Sequence, residues 1–99
     1  MLPYAMRWNL DATMQAHARM AREIGIEGAD DKTLAAAVPE HVFAMNQRMG
    51  LPLKLRDLGV PRDGLKQLAV DALDDYSIHT NPKPVTAADQ VLEVLEQAW

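Results

Sequence analysis

Apolar residues recur along this chain at three- and four-residue spacing, and that pattern predicts helix almost throughout. The opening run carries Leu2, Tyr4, Ala5, Met6 and Trp8 and reads as the exit of a helix that Asn9 ends. A second helix fits residues 11–24, with Met14, His17, Ala18, Ala21 and Ile24 on one face and Gly25 as its C-cap. Gly28-Ala29-Asp30-Asp31 is a loop, and one of its two aspartates caps the next helix. That third helix spans residues 32–49, with Leu34, Val38, Val42, Met45 and Met49 as its stripe. Pro39 falls inside it. Proline has no amide hydrogen and its ring crowds the preceding turn, so a kink or a break into two helices is expected near Val38. Gly50-Leu51-Pro52 then stops the helix.

Residues 53–58 predict a short helical turn leading to Gly59-Val60-Pro61. A fourth helix follows over residues 62–76, its stripe made by Leu65, Leu68, Ala69, Ala72 and Leu73. Asn81-Pro82-Lys83-Pro84 is extended, because each proline biases its predecessor away from the helical region. Thr86-Ala87-Ala88-Asp89 is similar to a capping box with Asp89 in place of Glu or Gln, and Val91, Leu92, Leu95 and Trp99 bury the last helix. Nothing reads as a strand or a repeat. The expectation is an all-α fold over residues 1–99, a single helical bundle domain of about five helices, with helix over about 60% of its length or more.

Composition narrows the function classes. Hydrophobic residues make up 48% but aromatics only 5%, so the core is built from Ala, Leu, Val and Met. A formal charge of -4, with ten Lys and Arg dispersed among 99 residues, disfavours nucleic acid or an anionic membrane as partner. Cysteine is absent, which excludes disulfides, thiolate metal sites and thiol nucleophiles. No apolar stretch reaches transmembrane length and no charged-then-apolar leader is present, so a cytoplasmic protein is expected.

Few residues here carry chemistry. His17, His41 and His79 are the histidines; no two stand four apart and none forms an HExxH pattern. The pair Asp30-Asp31 suits a helix cap, whereas Asp74-Asp75 falls in the last turn of the fourth helix, against the negative end of its dipole. The five glycines are isolated, so no phosphate-cradling loop exists. Ser77 is the sole serine, and no Ser-His-Asp arrangement can be built on it. It reads as a helix-terminating hydroxyl.

Three segments occur in a telling order: Leu2-Pro3-Tyr4-Ala5-Met6-Arg7-Trp8-Asn9, Leu55-Arg56-Asp57-Leu58-Gly59-Val60, and Asp75-Tyr76-Ser77-Ile78-His79-Thr80-Asn81-Pro82-Lys83. They resemble the LPHVMRFN-like, L-x-x-L-G-V and D-x-C-x-x-T-N-P-R segments of the carboxy-terminal helical domain of iron-containing (group III) alcohol dehydrogenases, a dehydroquinate-synthase-like lobe. The chain departs from the pattern at Tyr4 for the common histidine, Ser77 for the frequent cysteine and Lys83 for the frequent arginine. The resemblance implies that Ser77 runs near the substrate cleft. It also implies that NAD(P) and a divalent iron or zinc serve the intact enzyme, the metal polarising the alcohol oxygen for hydride transfer. In that family the nucleotide site and the metal-ligand histidines lie upstream of the first segment, so no catalytic, cofactor-binding or metal residue is assigned within these 99 residues.

Three functional readings follow. The chain is the carboxy-terminal lobe of an iron-type alcohol dehydrogenase, silent alone and partnered by an amino-terminal dinucleotide-binding domain. Alternatively it is a stand-alone helical interaction module, a homo-oligomer that buries apolar surface around Leu2, Met6 and Trp8. A third reading makes it a small metal or ligand binder using His17, His41 and His79.

Overall fold

The computed structural model describes all of residues 1–99, of which 71% are helical, with five α-helices and no strand. The helices are α1 (Leu2–Trp8), α2 (Leu10–Glu23), α3 (Asp31–Arg48), α4 (Leu65–Ala72) and α5 (Ala88–Ala98). Three short 3-10 helices, Leu55–Leu58, Arg62–Gly64 and Tyr76–Thr80, lie in the second half. Backbone contacts divide the chain into two compact units, Leu2–Leu51 and Pro52–Trp99. No helix is long and apolar enough to cross a membrane.

In the unit Leu2–Leu51, α3 packs on both α2 and α1. Asn9 separates α1 from α2, as its sequence position predicts. Its amide still donates to the Ala5 carbonyl at 3.0 Å, while its own carbonyl accepts from Ala12 N and Thr13 Oγ1. The core comprises Ala18, Ala21, Leu34, Ala35 and Val38, with Met6, Leu10 and Ile26 packed against it. Alanines at the contact let the α2 and α3 backbones approach closely, which is how a core with few aromatics closes. The predicted α2 face is right at its centre and too wide at its edges: Met14 and Ile24 remain 37% and 46% exposed. Asp30 is the aspartate that caps α3, accepting from Thr33 N at 2.7 Å, and its neighbour Asp31 pairs with Arg22 instead.

Pro39 does not break α3, which runs through it as one helix of 18 residues. The buried set Leu34, Ala35, Val38 and Pro39 ends on the proline itself, and Val42 and Phe43 beyond it are half-buried, so packing holds the helix through the missing donor. The ring itself is among the largest fully buried side chains.

In the unit Pro52–Trp99, α4 packs on α5, and Leu65, Ala69 and Ala98 are each 1% exposed. Two expectations shift here. The fourth helix is shorter than residues 62–76: a 3-10 turn precedes it, and it ends at Ala72 because the chain tightens into turns at Leu73 and Asp74. The cap of α5 also slides by one residue, and only its returning half forms, because Ala87 has no side-chain acceptor. Ala87 is the N-cap, and Gln90 Oε1, not Asp89, accepts from Ala87 N at 3.1 Å and Thr86 N at 2.8 Å. A glutamine side chain reaches back to both amides, whereas the shorter Asp89 stays solvated.

Candidate functional site

The segment that carries Ser77 starts afresh after α4. The Asp75 backbone is extended, and its Oδ1 accepts from Ser77 N at 2.8 Å. That bond caps the 3-10 helix Tyr76–Thr80, and the Ser77 hydroxyl, with this amide second, holds the Asp75 carboxyl below the usual carboxylate range. Asp75 therefore does not oppose the dipole of α4; it begins the next element. Ser77 is not a helix-terminating residue either, since it sits in the first turn and its carbonyl accepts from Thr80 Oγ1 at 2.8 Å. Asn81 Nδ2 donates to the Lys83 carbonyl at 2.6 Å, bracing the extended Asn-Pro-Lys-Pro run.

Ser77 and His79 are exposed, and Tyr76 is 82% exposed with its ring edge-on to the His79 imidazole at 6.4 Å between centroids. The segment thus presents a hydroxyl, a phenol and an imidazole outward from a backbone fixed by its own hydrogen bonds. Such groups can donate to and accept from a polar ligand. The partner of the Ser77 hydroxyl is the Asp75 carboxylate, too weak a base to make it a nucleophile.

The three histidines do not converge. His17 is buried at 8% exposure: its Nδ1 lies 3.1 Å from the Thr13 carbonyl, and its Nε2 is buried with no hydrogen-bond partner. A carbonyl only accepts, so Nδ1 is the donor of that bond. His41 and His79 are exposed on other elements. No group of three or more His, Asp or Glu stands where it would hold a metal ion. The residues present do not fit an iron or zinc centre.

Two arrangements escaped the sequence pattern. Within Pro52–Trp99, Leu58, Gly59, Val60, Pro61, Gly64, Gln67, Leu68 and Asp71 line an open concavity of about 490 Å³. Leu68, expected inward, is 46% exposed at its wall. Within Leu2–Leu51, Arg7 joins Glu40 and lies over the rings of Tyr4 and Phe43 at 5.3 and 5.6 Å. Of the α1 residues expected to form an association surface, Leu2 is 61% exposed, while Met6 packs on the core and Trp8 is half-buried.

Comparison with known proteins agrees across the whole length. Residues 1–99 match the profile of the Fe-containing alcohol dehydrogenase family, C-terminal. The chain is 38% identical over 101 residues to lactaldehyde reductase of Escherichia coli (strain K12), covering 100% of this chain and 26% of that enzyme. It is 33% identical to maleylacetate reductase of Burkholderia cepacia, covering 99% and 24%. A crystal structure of 1,3-propanediol oxidoreductase superimposes with a TM-score of 0.91 at 28% identity, covering 99% of this chain and 26% of that one. The chain therefore spans about a quarter of the length of the relatives it matches.

Proposed function

This chain belongs to the Fe-containing alcohol dehydrogenase family, corresponding to its C-terminal part, and from that premise we propose that it serves an NAD(P)-dependent oxidoreductase moving hydride between a small alcohol and its carbonyl. The observation that carries the reading is the superposition on 1,3-propanediol oxidoreductase over 99% of the chain. Relatives whose names state a cofactor point the same way: an NAD-dependent methanol dehydrogenase of Bacillus methanolicus and an NADPH-dependent butanol dehydrogenase of Clostridium saccharobutylicum.

In this reading the five helices supply a scaffold, and the dinucleotide-binding part of the enzyme is the partner. The contribution of this chain to the cleft is the segment after α4. Ser77 lines the substrate cleft, with its hydroxyl donating to Asp75 and its oxygen placed to accept from the substrate alcohol. Its exposure and the fixed backbone beneath it support that placement. Neither the dinucleotide nor the metal is assigned to a residue of this chain.

Complementation tests the proposal. Lactaldehyde reductase truncated to remove the quarter that matches this chain is co-expressed with these 99 residues, and alcohol-dependent NAD(P) reduction is measured. Neither piece alone turns over, and the two together do. The proposal fails if the relative's own excised segment restores activity and this chain does not.

A further inference from the structure

Two hydrogen bonds reach from the irregular segment after Pro52 to the end of α5. Lys54 Nζ donates to the Gln97 carbonyl at 2.8 Å, and Trp99 Nε1 donates to the Val60 carbonyl at 2.8 Å. Around the same indole, the guanidinium carbons of Arg56 and Arg62 lie 5.7 and 5.2 Å from the ring centroid, within cation–π range. Residues 97 and 99 thus engage a backbone carbonyl and three cationic side chains, Lys54 just ahead of the first 3-10 turn and one arginine in each turn.

That convergence matters because residues 53–64 hold little structure of their own. Their helices are 3-10 pieces of four and three residues, too short for cooperative helix stability. Gly59 lies between them at φ +79, a left-handed turn after which Val60 N donates back to the Leu55 carbonyl at 3.2 Å. The turn leaves the Val60 carbonyl free to accept from the indole. By contrast, α4 and α5 meet through buried Leu65, Ala69 and Ala98, a contact that does not use the segment.

We propose that Trp99 is a clasp: it holds the segment 53–64 as a strap that releases as a unit while α4 and α5 stay packed. The strap includes Leu58–Pro61, one wall of the concavity, so its position is set by a residue 39 places further along the chain. Closure depends on the indole N–H and on the ring face separately. The first fixes Val60, and the second gathers Arg56 and Arg62.

Trypsin reads this directly, because Lys54, Arg56 and Arg62 are both the clasped residues and cleavage sites, whereas exposed Lys66 on α4 reports the helix pair. The native protein is digested beside Trp99→Ala and Trp99→Phe, and peptides are quantified by mass spectrometry. The clasp predicts that Trp99→Ala raises cleavage after Arg56 and Arg62, relative to Lys66, about tenfold or more, with far-UV circular dichroism unchanged. Trp99→Phe keeps a ring for the guanidiniums but no N–H, and falls between. An unchanged ratio in Trp99→Ala overturns the clasp, and so does a rise at Lys66 in step with the strap. Should Trp99→Ala not fold, Trp99→Phe decides alone: a several-fold rise after Arg56 supports the clasp and no rise overturns it.

Discussion

Arg7 grips Glu40 with two parallel hydrogen bonds, Nε to Oε1 at 2.7 Å and a terminal guanidinium nitrogen to Oε2 at 3.0 Å, fastening α1 to α3 across 33 residues of sequence. The pair is partly solvated, with side chains 31% and 62% exposed, so its worth is that of a well-aligned surface pair, about 0.5–1 kcal/mol. The hydrogen bond from Arg7 is also the main reason the Glu40 carboxyl lies below its ordinary value of 4.5. The folded state therefore keeps a charge that the unfolded chain gives up sooner on acidification. The stabilisation is complete above 4.5 and is lost as pH falls through the lower folded value. Asp30 and Asp75 are lowered in the same sense. Melting curves between pH 7 and pH 3 should show Glu40→Gln losing stability at neutral pH and converging on the native protein in acid. Parallel curves would remove Arg7 from the account.

Gly59→Ala isolates a backbone cost. A Cβ there meets no atom within 4 Å, yet φ is +79, so the loss is conformational, about 1–2 kcal/mol, with Gly59→Asn milder. Urea denaturation measures it, and an unaffected midpoint would show that the turn relaxes to negative φ.

Pro39→Ala sets two effects of opposite sign against each other. Restoring an amide donor inside α3 is worth up to about 3 kcal/mol in an exposed helix. Removing two buried ring methylenes costs about 0.8 kcal/mol each, and freeing the unfolded chain costs about 0.4–1 kcal/mol more. The donor wins narrowly, so the variant should be more stable by under about 1 kcal/mol. A marked destabilisation would mean that the buried ring dominates.

His17→Leu should raise stability by about 1 kcal/mol, because it removes a buried nitrogen without a partner at the loss of one ordinary hydrogen bond to Thr13. A loss in chemical denaturation would reveal a water bound at Nε2.

In the complemented enzyme, Ser77→Leu should lower kcat/KM roughly tenfold or more by crowding the cleft. Its melting temperature stays put, since the side chain is exposed. Unchanged kinetics would place Ser77 outside the cleft.

Helix positions were legible wherever a stripe of apolar residues faced one neighbour, as for Leu34 and Val38 on α3 or Leu65 and Ala69 on α4. The ends were less so, because they depend on side-chain reach: Gln90 displaces Asp89 as the capping partner, and Asp75 captures Ser77 N in place of a further turn of α4. Pro39 reads locally as a breaker, and only the packing of α3 overrides it. The family was readable from three ordered segments, whereas the pairing of Trp99 with Val60 was not. A hydrogen bond across 39 residues leaves no periodic trace in sequence.

The chain holds two tryptophans, and they fall one in each unit, Trp8 in Leu2–Leu51 and Trp99 in Pro52–Trp99. The molecule thus carries its own pair of fluorescent reporters. With Trp8→Phe, emission during denaturation belongs to the second unit, while the far-UV circular dichroism of the same protein follows the helices of both. Superimposable unfolding curves would describe one cooperative block, and displaced curves two foldons, each observable without an added dye.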